Sequence, residues 1–186
     1  MAKRETRQKI LEAASRVVLA QGVGALTLEA VAAEAGVSKG GLLYHFASKE
    51  ALLGGMVARL VELTEVRIER SLAGDEGPGA WTRGYLAACA VDPTGKDPLD
   101  RLATALLAAG ATDPGLLAPL RTHETNWNKA SRGDGLDATT ASIVRLAADG
   151  LWMNDLFGLE VLNARERKAV LKRLREMTLQ EKRAEP

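Results

Sequence analysis

The sequence predicts an all-α protein of about nine helices, in which an N-terminal three-helix unit is joined by one long helix to a larger helical C-terminal part. Three observations predict it. Apolar residues recur at spacings of three and four along most of the chain, the repeat of one helix face. Ala and Leu dominate the hydrophobic 46%, while aromatics make up only 4%, a mixture that favours helix. Strand-like alternation of useful length, internal repeats and low-complexity tracts are all absent from the sequence.

A chain of 186 residues can bury a real core, as one large domain or as a small one plus a larger one. No stretch approaches the roughly 18 uncharged apolar residues that a membrane span needs. The opening MAKRETRQK is charged and lacks the apolar core of a signal peptide, so a cytoplasmic, membrane-free protein is expected. Cys89, the single cysteine, offers neither an intrachain disulfide nor a zinc cluster. With two histidines, no carboxylate pair at a recognisable spacing and no phosphate loop, the sequence gives no catalytic residue, metal site or cofactor to expect. Net charge is +1: residues 1–50 hold seven basic and five acidic groups, or +2, leaving 18 against 19, or −1. A solvated mixed surface gives that asymmetry just as easily.

The elements follow in order. Ile10, Leu11, Ala14, Val17 and Val18 share one face of a helix from about Lys3 to Ala20, ended by Gly22 and Gly24. Thr27 has the character of an N-cap for LEAVAAEA, which buries Leu28, Val31 and Ala32 or Ala35 and stops at Gly36. Ser38 caps a short helix through Leu42, Leu43 and Phe46. Ser48 caps a fourth, with Glu50 in its first turn where the helix dipole favours an anion. That helix continues through Leu52, Leu53, Met56, Val57, Leu60 and Leu63 towards Ile68, about 24 residues and twice the usual length. A helix so long spans two parts of the molecule. The domain boundary is therefore placed inside it, giving domains 1–50 and 51–186, with AGDEGPG (73–79) as the linker that closes it. Further helices are expected over Trp81–Ala90, Pro98–Ala109, about Leu116–Ser131, Ala138–Phe157 and Ala164–Thr178. Asp97-Pro98 and Asp113-Pro114 each pair an N-cap with a proline at the first helical position. Pro119 means that its segment either kinks or begins later. Asn163 and Glu166 have capping-box spacing, and the tail QEKRAEP is expected to fray.

The informative stretch is TLEAVAAEAGVSKGGLLYHFASKEALL, residues 27–53. It describes two short helices joined by the tight turn AGVS, with Gly36 able to take the left-handed conformation and Val37 plugging the angle. The second short helix leads with Lys39, Gly40 and Gly41. Two adjacent glycines cost roughly 1 kcal/mol each in a helix interior, and they remove side chains where something must come close. A recognition helix entering a major groove has that need. Lys39 can donate to guanine O6/N7 or to a phosphate. Tyr44 and His45 can donate to phosphate oxygens, Lys49 adds charge beside the free amides of the next helix, and Thr27 can bond a phosphate from its capping position. The plainer alternative is a loop with a solvated charge.

This stretch resembles the DNA-binding domain of the TetR family of bacterial regulators. The resemblance rests on Thr27, Ala35-Gly36-Val37-Ser38, Lys39-Gly40-Gly41, Tyr44-His45-Phe46 and Ser48-Lys49-Glu50, and with the preceding helix covers about residues 5–53. It implies that Thr27, Ser38, Lys39, Gly40, Gly41, Tyr44, His45 and Lys49 lie at or near DNA. Position 43, where some relatives carry a second tyrosine, is Leu43 here. The resemblance also implies a C-terminal domain that dimerises and binds a small effector.

The residues support the dimer independently. Over 138–157, Ile143, Leu146, Ala147, Gly150, Asn154 and Phe157 make one face; Val144, Ala148, Leu151, Leu156 and part of Trp152 make much of the other. A helix apolar nearly all round is buried on both sides. Val170, Leu171, Leu174 and Met177 form a second stripe over 164–178. These two helices from each chain would build a two-fold four-helix interface, or else simply form the domain's own core. For a pocket, Trp81, Tyr85 and Cys89 share one helix face, His123 and Trp127 are similarly paired, and Trp152 can face inward; such stripes either line a cavity or are plain core. Asp149 and Asn154 can anchor a polar ligand group, pair across the dimer or reach solvent. The expected function is a DNA-binding, ligand-responsive regulator that binds a near-palindromic duplex operator as a homodimer; that it represses is implied by the family resemblance alone. The alternative is a helical ligand-binding or scaffold dimer without DNA recognition.

Overall fold

Most helices among the described residues begin where a side chain takes up the open amides of a first turn. In a computed structural model, which describes residues 2–72, 74–90 and 97–179, nine α-helices, two short 3-10 turns and no strand occur among the described residues. They are α1 (Ala2–Gln21), α2 (Leu28–Ala35), α3 (Lys39–His45), α4 (Lys49–Leu72), α5 (Ala80–Cys89), α6 (Pro98–Thr112), α7 (Ala118–Arg132), α8 (Ala138–Leu156) and α9 (Ala164–Met177). Thr27, Ser38, Asp97, Asp137 and Asn163 cap α2, α3, α6, α8 and α9 through their side chains. The Ser48 hydroxyl accepts from the Ala51 amide at 3.1 Å and does the same for α4. Asn163 and Glu166 close the reciprocal capping box that their spacing predicts.

Differences from expectation are local. A 3-10 turn over Val23–Ala25 fills the gap after α1. α6 runs on to Thr112, because Asp113 is at once its C-cap and the N-cap of the next turn. Pro114–Leu117 form a separate 3-10 turn, and α7 begins later, at Ala118. Pro119 then stands in a first turn, where its missing N–H removes no intrahelical bond. Of the expected linker, residues 74–79 carry bends, with left-handed Gly74 and Gly79; Ala73 and the tail 180–186 lie outside the described residues. Among the described residues no helix is long and apolar enough to cross a membrane.

Proximity divides the chain into two units that interleave in sequence: Met1–Glu62 with Lys96–Thr122, and Leu63–Gly95 with His123–Pro186. Two helices, α4 and α7, run from one unit into the other. In the first unit Ile10, Leu11, Val17 and Val18 of α1, Val31 and Ala35 of α2, Leu42, Phe46, and Leu52, Leu53 and Met56 of α4 form a core. Leu102 and Leu106 of α6 and Leu116 join that same core. The Arg101 guanidinium also donates to the Leu19 carbonyl at 3.2 Å. Close packing here depends on Gly55, where a Cβ would stand 2.6 Å from Phe46 Cε1 and 3.3 Å from Leu11 Cδ2. Gly55→Ala is expected to cost about 1–3 kcal/mol through overpacking. Its neighbour Gly54 has nothing within 4 Å of a Cβ, so Gly54→Ala should instead gain up to about 1 kcal/mol of helix propensity. Urea unfolding of the two variants reads the opposite signs.

The second unit packs α5 against α8 and α9. Buried Thr82 donates its hydroxyl to Asp134 Oδ2 at 2.6 Å, and its amide donates to the same oxygen at 2.9 Å. Arg83 holds Asp75 through Nε and Nη2, each at 2.6 Å, and donates from Nη1 to the Thr178 carbonyl, tying the turn before α5 to the end of α9.

Candidate nucleic-acid interface and effector site

The turn between α2 and α3 is built by the residues that the sequence singled out for it. Gly36 is left-handed, φ 62° and ψ 40°, and Val37 donates its amide to the Ala32 carbonyl at 3.0 Å. Val37 is half-buried and packs against the core of the first unit. Ser38 Oγ accepts from the Gly41 amide at 3.0 Å and starts α3, seven residues long. Leu42 and Phe46 are buried and anchor that helix from behind.

What remains in front is polar and open. Thr27, Ser38, Lys39, Gly40 and Tyr44 are exposed; Gly41, His45 and Lys49 are half-buried. Thr27 Oγ1 accepts from the Ala30 amide at 3.1 Å, which leaves its hydroxyl proton to donate outward. Tyr44 is 69% exposed, its ring edge-on to His45 with centroids 5.3 Å apart. Leu43 is exposed beside it. Lys49 opens α4, next to Glu50, whose carboxyl is held below its ordinary range by the Ser48 hydroxyl and its own backbone amide. The two glycines, read from sequence as a pair, have separate reasons. A Cβ on Gly41 would come within 3.2 Å of Ser38 Oγ and crowd the cap, whereas one on Gly40 meets nothing within 4 Å. Internal packing therefore gives no reason for Gly40 to be bare.

Three charged residues that motif reading missed complete this surface. Glu29 pairs with Lys39 at 2.6 Å, bringing the start of α2 beside the start of α3. Lys3 lies over the Tyr44 ring, 4.8 Å from its centroid, and Arg7 lies over Phe46 at 5.1 Å. The basic start of α1 would have pointed to the last two, since helical spacing carries Lys3 and Arg7 on one face. Glu29 and Lys39 meet only through the turn geometry.

In the second unit the aromatic candidates gather. Trp81 stacks on Tyr85 at 5.3 Å, Tyr85 meets Trp127 edge-on at 5.9 Å, and Trp127 adjoins His123 at 6.3 Å. Cys89 lies one turn beyond Tyr85, buried, and its thiol is pushed up to about 12, chiefly by burial. It is thus a protonated, poor nucleophile at neutral pH. Trp152 stands half-buried on α8, three residues past Asp149. Asp149 accepts from the Tyr85 hydroxyl at 2.5 Å. Burial raises both groups, the carboxyl and the phenol, above their ordinary ranges. A polar network missed from sequence surrounds them. Arg145, its side chain only 6% exposed, lies 5.1 Å over the Tyr85 ring, donates to Asn128 Oδ1 at 2.7 Å and pairs with Glu124. Its Nε is buried with no hydrogen-bond partner among the described residues. An arginine one turn before an aspartate on an otherwise apolar helix was the available signal. His123 Nδ1 pairs with Glu65 Oε1 of α4 at 2.8 Å. No group of three or more metal-ligating side chains occurs among the described residues.

A capped helix, a left-handed glycine turn and a second short helix with an open leading edge define a helix-turn-helix protein of the kind that docks on duplex DNA. Residues 10–56 match the bacterial regulatory proteins of the tetR family, and residues 79–179 match the tetracyclin repressor-like C-terminal domain. The second match alone spans more than half of the 186 residues, and the chain belongs to the TetR family. It is 44% identical over 54 residues to the HTH-type transcriptional regulator SrpR of Pseudomonas putida, covering 29% of this chain and 25% of that protein. The chain thus spans well under two thirds of the length of that relative. Among solved structures, SCO1917 of Streptomyces coelicolor A3, a TetR-family member, is 28% identical with a TM-score of 0.65, covering 91% of this chain and 98% of that one. The multidrug binding protein EbrR, complexed with imidazole, is 27% identical with a TM-score of 0.64, covering 90% and 93%.

Proposed function

We propose that this chain is a homodimeric, ligand-responsive TetR-type repressor, not an enzyme, which acts in the cytoplasm on a near-palindromic operator and is released from it by a small effector. One observation carries the DNA reading: the leading edge of α3 is kept bare at Gly40 with no internal cause, between Lys39, Tyr44 and Lys49. Two recognition helices in successive major grooves would lie roughly 34 Å apart. Functionally, residues 1–50 form the DNA-binding domain and 51–186 the dimerisation and effector domain.

The dimer reading rests on α8. Ala141, Val144, Ala148 and Leu151 are buried within the unit, while Ile143, Leu146, Met153 and Phe157 stand exposed, with Gly150 open between them. α9 spends its stripe inward: Leu174 is buried, Val170, Leu171 and Met177 are half-buried, and its outer face is charged. In the interface over 138–157 and 164–178, α8 therefore supplies the apolar centre and α9 the rim.

The effector reading rests on the ring cluster of Trp81, Tyr85 and Trp127, joined by Cys89, His123 and Trp152. Such walls suit a flat, largely apolar ligand, and EbrR has been crystallised with malachite green as well as imidazole. Coupling has a physical route. The ring series ends at His123, whose partner Glu65 lies on α4, and both residues sit just past the points where α7 and α4 leave the first unit. An inducer must bind the DNA-incompetent form better than the competent one.

Duplex binding by Tyr44→Ala and Lys49→Ala tests the proposal. Each should weaken binding by about tenfold or more with the dimer intact, and Lys49→Ala should flatten the salt dependence by about two units per dimer. Unchanged binding would favour the scaffold reading.

A further inference from the structure

The surface proposed to face DNA carries an acid where a phosphate contact is expected. Glu29 stands in the first turn of α2, two residues after Thr27, and accepts a hydrogen bond from Lys39 Nζ at 2.6 Å. Both side chains are more than half exposed, 58% for Lys39 and 64% for Glu29, so solvent weakens the pair and a competing partner can open it. The hydrogen bond from Lys39 leads the causes that hold the Glu29 carboxyl below its ordinary range, so the acid is charged at neutral pH.

The two DNA partners open to Lys39 differ in what they ask of this pair. A phosphate would trade one oxyanion for another around the ammonium, and would strand Glu29 against the negative backbone. A guanine edge in the major groove is neutral and presents O6 and N7 as acceptors. The ammonium has three donors, so it can bond that edge and still keep Glu29. Glu29 thus makes Lys39 a poor phosphate ligand and leaves its value as a base reader.

We propose that Glu29 is a specificity-determining residue: by pairing with Lys39 it withholds that cation from the DNA backbone and reserves it for base edges. The inference rests on the DNA-binding reading and adds a residue to it. Glu29 itself is a positioning residue that acts through Lys39.

The test uses the full-length protein, the operator that it selects from a random duplex library, and a scrambled duplex of equal length and composition. Glu29→Gln keeps the shape and removes the charge. It should raise affinity for the scrambled duplex about fivefold and steepen its salt dependence by about one unit per engaged protomer. Operator affinity should change by less than twofold, so discrimination falls about fivefold. In a Lys39→Ala background the same substitution should no longer change the ratio. Equal gains on operator and scrambled duplex, or a loss of discrimination that persists without Lys39, would overturn the proposal and leave Glu29 as generic repulsion. A wild-type protein that binds neither duplex in a salt-dependent way would instead overturn the DNA-binding reading, and this inference with it. Unchanged thermal unfolding of Glu29→Gln separates either result from misfolding.

Discussion

Leu146→Asp is expected to convert the proposed dimer into a folded monomer and to abolish operator binding as a consequence. Among the described residues Leu146 is the most exposed large apolar side chain, at 71%, on the outward face of α8, while the opposite face of that helix is buried in its own unit. The protomer's fold therefore loses no packing and only about 0.5 kcal/mol of helix propensity, and helical circular dichroism should be unaltered. In the dimer each copy would forfeit about 1.5–3 kcal/mol of apolar burial. Each copy would also place an unpaired carboxylate in the apolar centre of the interface, at a further cost of several kcal/mol. With two copies per dimer, dissociation should rise more than a thousandfold. Light scattering at micromolar concentration should report a monomer. A persisting dimer would put the interface elsewhere.

Much of this was legible because it is local. Thr27, Ser38, Ser48 and Asn163 cap the helices that their types and spacings predict, and Gly36 takes the left-handed turn that only its lack of a Cβ makes easy. The expected ring candidates Trp81, Tyr85, Trp127 and His123 meet because helical spacing puts each pair on one face before packing joins the pairs. What stayed hidden is set by the turn and by packing between distant segments. Glu29 reaches Lys39 only through the α2–α3 angle. Arg145, in a helix read as apolar, finds Glu124, Asn128 and the Tyr85 ring on two other helices. The sharing of one core by α6 and α1 depends on a chain path that no hydrophobic pattern encodes. Pro119 gave two readings of its helix, and only the separate 3-10 turn before it chose between them.

Gly40→Leu carries the second large effect. No atom of the protein lies within 4 Å of where its Cβ would be, and α3 begins one residue earlier. Leucine is the better helix former by up to about 1 kcal/mol, so the variant should be as stable as the parent or slightly more so. Against DNA the same side chain would fill the space between the helix backbone and the floor of the groove. A lost or blocked base contact costs about 1–3 kcal/mol in each half-site. The proposed dimer would carry the change twice, so affinity should fall from about thirtyfold to more than a thousandfold. Neither a solvated loop nor a scaffold helix predicts a variant that folds better and binds worse.

The decisive measurement is the affinity of Gly40→Leu for the wild-type operator, taken together with its thermal unfolding. A melting temperature equal to or above the parent's with binding lost is the predicted result. A stable variant that binds the operator as tightly as the parent would mean that α3 does not press its glycine edge into the groove.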